Sequence, residues 1–394
     1  MTFDGSQPIA PPSGQDYTLF REEHEALRES IRRFVDKEIA PFVEEWEAAG
    51  DFPRDLYPRC GELGFFGLKF DERVGGSGPD YLAAAVFTEE LARCGAGGVA
   101  AGLGGHTDLA CLYLGNYGTP AQQKRWLVPS IRGELVGAFA VTEPDAGSDV
   151  ASLQTKASRD GDGYVLNGTK IYITNGSKAD YIVVAARTGG AGHDGISLLV
   201  VETTMPGFSA RRLETVGWRT SHTAELRFDD VRVPASHLLG EKEGEGFKQI
   251  MGNFGWERLV MALGANAAAE QTLERGIAYA REREAFGRPV AKFQVWKHRF
   301  ADLATEIAAA KALTYHALRR YVIGEPAIRE ISMAKAMACE VDWKVADECL
   351  QVHGGWGYMM EYPIQRAWRD SRLGPIGGGT TEIMREIIAK TYGL

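Results

Sequence analysis

The sequence predicts a mostly helical protein with a compact β domain set into its middle. Three observations carry this. Apolar residues fall at helical spacing up to about residue 136, the texture turns short and β-branched between 137 and 242, and long helical periodicity returns from about Glu243. The order helices, strands, helices lacks the β–α alternation of a doubly wound sheet, so a Rossmann-type domain is not expected.

The elements follow in order. Residues 1–17 have neither a basic n-region nor an apolar h-region and read as a mobile arm. Leu27, Ile31, Phe34, Val35 and Ile39 then mark an amphipathic helix, the first of a helical domain over 18–136. Within it, Thr119 followed by Pro120 is an N-cap and N1 pair. The segments GYVLNGTKIYITNG, DYIVVAART, GISLLVVETT and TAELRFDDVRVP, separated by Gly, Asn and Asp turns, make the β domain over 137–242. Three long helical stretches fill 243–394.

Composition narrows the function classes. A chain of 394 residues is long enough for two or three cooperating domains. The net charge of −9, with no basic block, speaks against a nucleic-acid partner. Cys60, Cys94, Cys111, Cys339 and Cys349 are scattered, without CxxC spacing, so reduced thiols in a cytoplasmic setting are expected, with no disulfide framework and no metal. No apolar run reaches the ~18 residues of a membrane span.

Several stretches are candidates for chemistry. In GAFAVTEPDAGSD a short apolar strand runs into a hydroxyl-rich turn that offers backbone N–H groups and hydroxyls to a polar ligand edge, although an ordinary β-turn cluster has the same composition. RLGPIGGGTTEIM places three glycines before a helix that starts near Thr380; with no Lys-Ser/Thr pair after them, a Walker-type loop is disfavoured. REREAFGRPVAKFQ and QVHGGWGYMMEYP are compatible with plain helix–helix connections.

Taken together with LNGTKIYITNGSKADY and TAELRFDDVRVP, these motifs resemble the acyl-CoA dehydrogenase family over essentially the whole chain after residue 17. The resemblance implies a β-barrel-like middle domain, a C-terminal four-helix bundle, one FAD per subunit, a homotetramer, an acyl-CoA substrate and an electron-transfer flavoprotein as acceptor. It implies that Phe139, Val141, Thr142, Gly147 and Ser148 bound the flavin and the thioester end of the substrate, and that Tyr172 and Thr174 pack at the isoalloxazine. Many relatives have Trp in place of Tyr172. Arg283, Phe286, Gln294, Gln351, Gly354 and Gly355 would reach the FAD of a neighbouring subunit, and Thr380 and Glu382 would also serve the cofactor.

The family reaction takes an α-proton to a carboxylate and a β-hydride to flavin N5. Much of the family carries that carboxylate in a Y-E-G-T version of the glycine stretch, where this chain has Gly377 to Thr380. The isovaleryl and long-chain branch carries it in ERL on the first long C-terminal helix. NFGWERL matches, which makes Glu257 the candidate base with Arg258 beside it at the substrate. A lone Glu on a helix is otherwise most often a solvated residue. The missing side chain at Gly378 is expected to leave room for the Glu257 carboxylate, and the Gly378 N–H to donate to the thioester carbonyl. Gly255 stands where relatives often have Asp, which removes one contact to CoA.

Gly102, Gly104 and Gly105 lie where the family forms the floor of its acyl pocket, Gly104 as a substrate-binding position. Glycine inside a helix costs ~1 kcal/mol relative to Ala, so either tail space or tight packing is expected there. Medium-to-long or otherwise elongated chains, dicarboxylic ones included, fit this reading. An acyl-carrier-protein dehydrogenase and an O2-using oxidase or monooxygenase are alternatives on the same fold, and Glu257 argues against a non-enzymatic assembly factor.

Overall fold

The computed structural model describes residues 19–394; the arm expected over 1–17 lies outside them. Up to residue 136 the described chain is helical, beginning with Glu22–Phe34. Thr119 caps Gln122 N, and Gln122 returns a bond to Thr119 N at 3.0 Å, so the capping box forms as a Thr-Pro start permits. The helix expected to run on through Val35 and Ile39 loosens into a π-turn over Val35–Ile39, while both side chains stay buried.

Seven strands follow: β1 (Gly137–Ala140), β2 (Lys156–Asp160), β3 (Gly163–Ile173), β4 (Tyr181–Arg187), β5 (Ile196–Glu202), β6 (Phe208–Arg212) and β7 (Ala224–Pro234). They form one curled sheet in the order β1-β4-β2-β3-β7-β6, with β5 also on β4. The β1–β4 pairing is parallel and β4–β5 antiparallel. Apart from their last residues, β4 and β5 are buried on both faces, which is why they read as continuous apolar runs. Tyr181, Val183 and Ala185 face a core shared with Tyr113, Leu114 and Trp126 of the N-terminal helices. Ile182, Val184 and Ala186 face the inside of the sheet with Leu226 and Phe228.

Three long helices, Gly246–Glu282, Gln294–Val322 and Ile328–Val352, make the C-terminal part, with Thr381–Thr391 packed on the third. Its core is continuous with that of the N-terminal helices: Phe34, Val86, Leu91 and Val99 lie in one cluster with Trp256, Leu263, Leu318 and Val345. A largely buried polar knot fastens the same joint. Arg28 donates to Glu89 at 2.8 Å and to Glu90 at 3.1 Å, and the Tyr315 hydroxyl donates to Glu89 at 2.7 Å.

The glycine helix Gly97–Gly105 sits where all three parts meet. Asp370 accepts Gly97 N at 2.9 Å and Trp218 N at 2.7 Å. A Cβ on Gly98 would stand 2.3 Å from the Thr220 hydroxyl and 2.8 Å from the Thr220 amide, so backbone touches backbone there. Gly98→Ala is therefore expected to lower stability by ~1–3 kcal/mol through overpacking. Urea unfolding of the two proteins checks this, and an unchanged midpoint would show that the joint can yield.

Candidate active site

Glu257 lies on the first long helix, Gly246–Glu282, three turns in. Its neighbours Trp256 and Arg258 are buried, and Trp256 Nε1 donates to Asp108 at 2.8 Å, which fixes the helix face. Glu257 itself is half-buried: part of its surface stays open, yet its carboxyl is crowded by protein. Burial pushes that carboxyl up to about 8, while the Tyr113 hydrogen bond and the Arg258 charge pull the other way and Asp108 adds to the rise. The Tyr113 hydroxyl donates to Glu257 Oε1 at 2.9 Å. Arg258 is 7% exposed, and its Nε has no hydrogen-bond partner among the described residues. Its guanidinium lies 5.2 Å from the Phe254 ring, and burial lowers its pKa.

The glycine loop differs from expectation in one respect. A Cβ on Gly378 would stand 2.3 Å from the Met261 sulfur, so the room left by the missing side chain is filled by Met261, one turn after Glu257, rather than by the Glu257 carboxylate. Gly378 also has φ +61°, which a side chain rarely adopts. Its N–H makes no hydrogen bond among the described residues, so it is free to donate. Thr380 caps the following helix by accepting Ile383 N at 3.3 Å, and Glu382 is exposed in its first turn. Lys335, fully buried in the third long helix, pins the loop: its ammonium donates to Gly374 O at 2.8 Å and to Gly379 O at 2.6 Å.

On the β side, Phe139 lies buried near the end of β1, with Val141 and Thr142 half-buried just after the strand and Gly147 and Ser148 exposed. The turn is held from below by Lys170, which is fully buried and donates to Val141 O at 3.0 Å and Glu143 at 2.8 Å. Glu143 in turn accepts Gln154 N at 2.6 Å and Thr155 N at 2.9 Å. Burial pulls Lys170 down to about 8 and raises Glu143, but the pair and the amides outweigh burial at Glu143 and hold its carboxyl below the usual range. A register shift between Lys170 and Ile173 throws Tyr172 outward at φ +61°, 66% exposed, with Thr174 half-buried behind it. An exposed ring beside a hydroxyl-lined turn fits the flat, polar-edged ring system of a flavin.

Arg283, Phe286, Gln294, Gln351, Gly354 and Gly355 form a separate group at the far end of the long helices, all exposed. Phe286 is 94% exposed, and nothing lies within 4 Å of a Cβ built on Gly354 or Gly355. Within one chain they do not join Glu257.

Three family models match in chain order: the acyl-CoA dehydrogenase N-terminal domain over 21–134, the middle domain over 138–231 and the C-terminal domain over 244–393. The chain belongs to the acyl-CoA dehydrogenase family. It is 41% identical to a long-chain specific acyl-CoA dehydrogenase of Sus scrofa, over 98% of this chain and 91% of that protein. A probable acyl-CoA dehydrogenase of Mycobacterium abscessus superposes with a TM-score of 0.92 at 45% identity, covering 95% of this chain and all of that one. A glutaryl-CoA dehydrogenase of Mycobacterium smegmatis, solved in complex with FADH2, superposes at 0.90 with 30% identity, covering 95% and 96%. This acyl-CoA dehydrogenase is accordingly an FAD flavoprotein and an oxidoreductase of CH–CH bonds.

Tyr113, Lys170 and Lys335 were not legible as site residues. Tyr113 sits in an apolar helical pattern like any core aromatic, whereas Lys335 left a signal, a lone cation inside ISMAKAMACEV. Lys335→Met should leave two loop carbonyls without a donor and lower stability by ~2–4 kcal/mol. Denaturant unfolding at saturating FAD measures this; an unshifted midpoint would mean that the loop holds itself.

Proposed function

We propose that this acyl-CoA dehydrogenase converts a medium-to-long or otherwise elongated acyl-CoA to its trans-2-enoyl-CoA, with Glu257 as the base. The observation that carries the reading is a carboxyl shielded from water, raised to about 8 and held by one oxygen, with the other left for substrate. A carboxyl with a high pKa is a strong acceptor for a carbon-bound proton. Tyr172 and the 141–148 turn would hold the FAD, which would supply the two-electron acceptor. Glu257 takes the α-proton, and the free Gly378 N–H stabilises the charge that grows on the thioester oxygen. Arg258, buried without a partner for Nε, adds positive potential beside the same loop. An electron-transfer flavoprotein completes the cycle as acceptor.

Support for an elongated chain comes from the glycine helix. A Cβ on Gly102 would press on Phe52 at 2.8 Å, so that glycine serves packing, but one on Gly104 would meet only Asp108 at 3.7 Å. The long-chain relative agrees. The exposed group around Arg283 and Gln351 supports a homotetramer in which these side chains serve a neighbour's FAD. An open groove of about 510 Å³ floored by Leu313, Met337, Val341 and Ile388 offers the bundle face for it.

Glu257→Gln should retain FAD and lose flavin reduction by ~10²–10⁴-fold, since an amide cannot take the proton. In the intact enzyme the base must be ionised, so kcat/KM should climb with pH, about tenfold per unit, and level off near pH 8. Anaerobic stopped-flow reduction and a steady-state pH series test both; fast reduction of the Gln variant removes Glu257 from the chemistry. Gly104→Ala should keep or raise stability, by up to ~1 kcal/mol, while shifting preference toward shorter chains. An unchanged chain-length profile would place the tail elsewhere.

A further inference from the structure

We infer that Tyr113 is a positioning residue for the base: its hydroxyl fixes one carboxylate oxygen of Glu257, aims the other at the α-carbon, and keeps the group ionised in a water-poor site. The inference rests on Glu257 being the base. Tyr113 is fully buried on the Cys111–Tyr117 helix, and burial with the Glu257 charge drives its phenol well above the usual range, so it is a permanent donor. Its ring lies against Phe139 with centroids 4.2 Å apart and planes 17° apart. Phe139 belongs to the strand that leads into the turn assigned to the flavin, so one stack ties the cofactor wall to the base.

The geometry assigns the two carboxylate oxygens different work. Oε1 accepts the Tyr113 hydroxyl at 2.9 Å, and no described residue bonds Oε2. Arg258, next to Glu257 on its own helix, exerts its charge but makes no hydrogen bond to it. From the turn over His106–Ala110, Asp108 opposes ionisation, and its own charge is answered by Lys69 at 2.6 Å. On the helix of Tyr113, Tyr117 stands 6.4 Å away between ring centroids and is half-buried. Tyr113 is thus the one hydrogen-bond donor to the carboxyl among the described residues. A donor to the charged form favours that form, which offsets burial in the direction that catalysis needs.

The removal experiment is Tyr113→Phe, which keeps the ring, its stack and its volume. The acid limb of kcat/KM should move to higher pH by on the order of one unit, and kcat above the limb should fall about tenfold. FAD content and unfolding midpoint should stay as in the unaltered enzyme. In infrared difference spectra against Glu257→Gln, the protonated carboxyl band should persist to higher pH in the Phe variant. A limb and a band that stay in place would overturn the inference, even if the rate falls, because packing alone does not move a titration. If Glu257→Gln proves active, the assignment of the base fails instead; an inactive Gln variant beside an unshifted Phe variant sinks only the role of Tyr113.

Discussion

A base that takes a proton from carbon has to be kept out of bulk water, and water is also what keeps a carboxylate charged. The rest of the site follows from that conflict. At Glu257 burial wins by enough to bring the group to about 8, but one hydroxyl and one neighbouring guanidinium stop it from being neutral at every working pH. A fully solvated carboxylate would be ionised and feeble; a fully isolated one would be basic and always protonated. The position between those limits depends on Tyr113 from an N-terminal helix meeting Glu257 from a C-terminal one. Each partner is seated in a core of its own, Tyr113 against the sheet and the Glu257 helix, through Trp256 and Leu259, in the core that joins the two helical parts.

The glycine loop and the 141–148 turn are held by a common device. Each would be soft if left to itself, one with three adjacent glycines and one with a Pro-Asp-Ala-Gly-Ser turn. Each is fastened by a lysine with no exposed surface, Lys335 to the carbonyls of Gly374 and Gly379 and Lys170 to the carbonyl of Val141. Burying an ammonium is costly, and carbonyl oxygens in fixed places offset that cost only when the geometry is good. The same requirement makes the lysines exacting: they hold the loop in one shape or not at all. The Lys170 ammonium also has Glu143 as its counter-charge, whereas Lys335 has no ion-pair partner among the described residues and leans on carbonyls alone.

The fold class was legible because its cause is local. Two-sided burial writes continuous apolar runs into β4 and β5, and one-sided burial writes helical periodicity into Glu22–Phe34, so the order of parts could be read off directly. The assignment of Glu257 as candidate base came only through the family motif, since nothing in NFGWERL by itself separates a half-buried glutamate from a solvated one. The reading of the triple glycine was half right in kind: space is indeed needed beside Gly378, but Met261 uses it, and φ +61° demands a glycine in any case. Tyr113 was beyond reach. Its partner is 144 residues away, and a hydrogen bond across that distance leaves no pattern in either segment.

The exposed group at the other end of the bundle completes the physical picture by its isolation. Phe286 is almost wholly bare and sits at φ +52°, in a two-stranded hairpin that packs beside the long helices rather than into them. A bulky ring held out at a left-handed backbone position is unfavourable in a lone chain on two counts, exposure and strain. The exposure cost falls, and the strain is offset, if the ring is covered by a ligand or a second copy, while the residues around Glu257 are already ordered by contacts inside one chain. Under the proposed function the division of labour runs between chains: proton transfer is assembled from within, and part of the grip on the cofactor is offered outward. Dissociation of an assembly built this way would weaken cofactor retention before it disturbed the base.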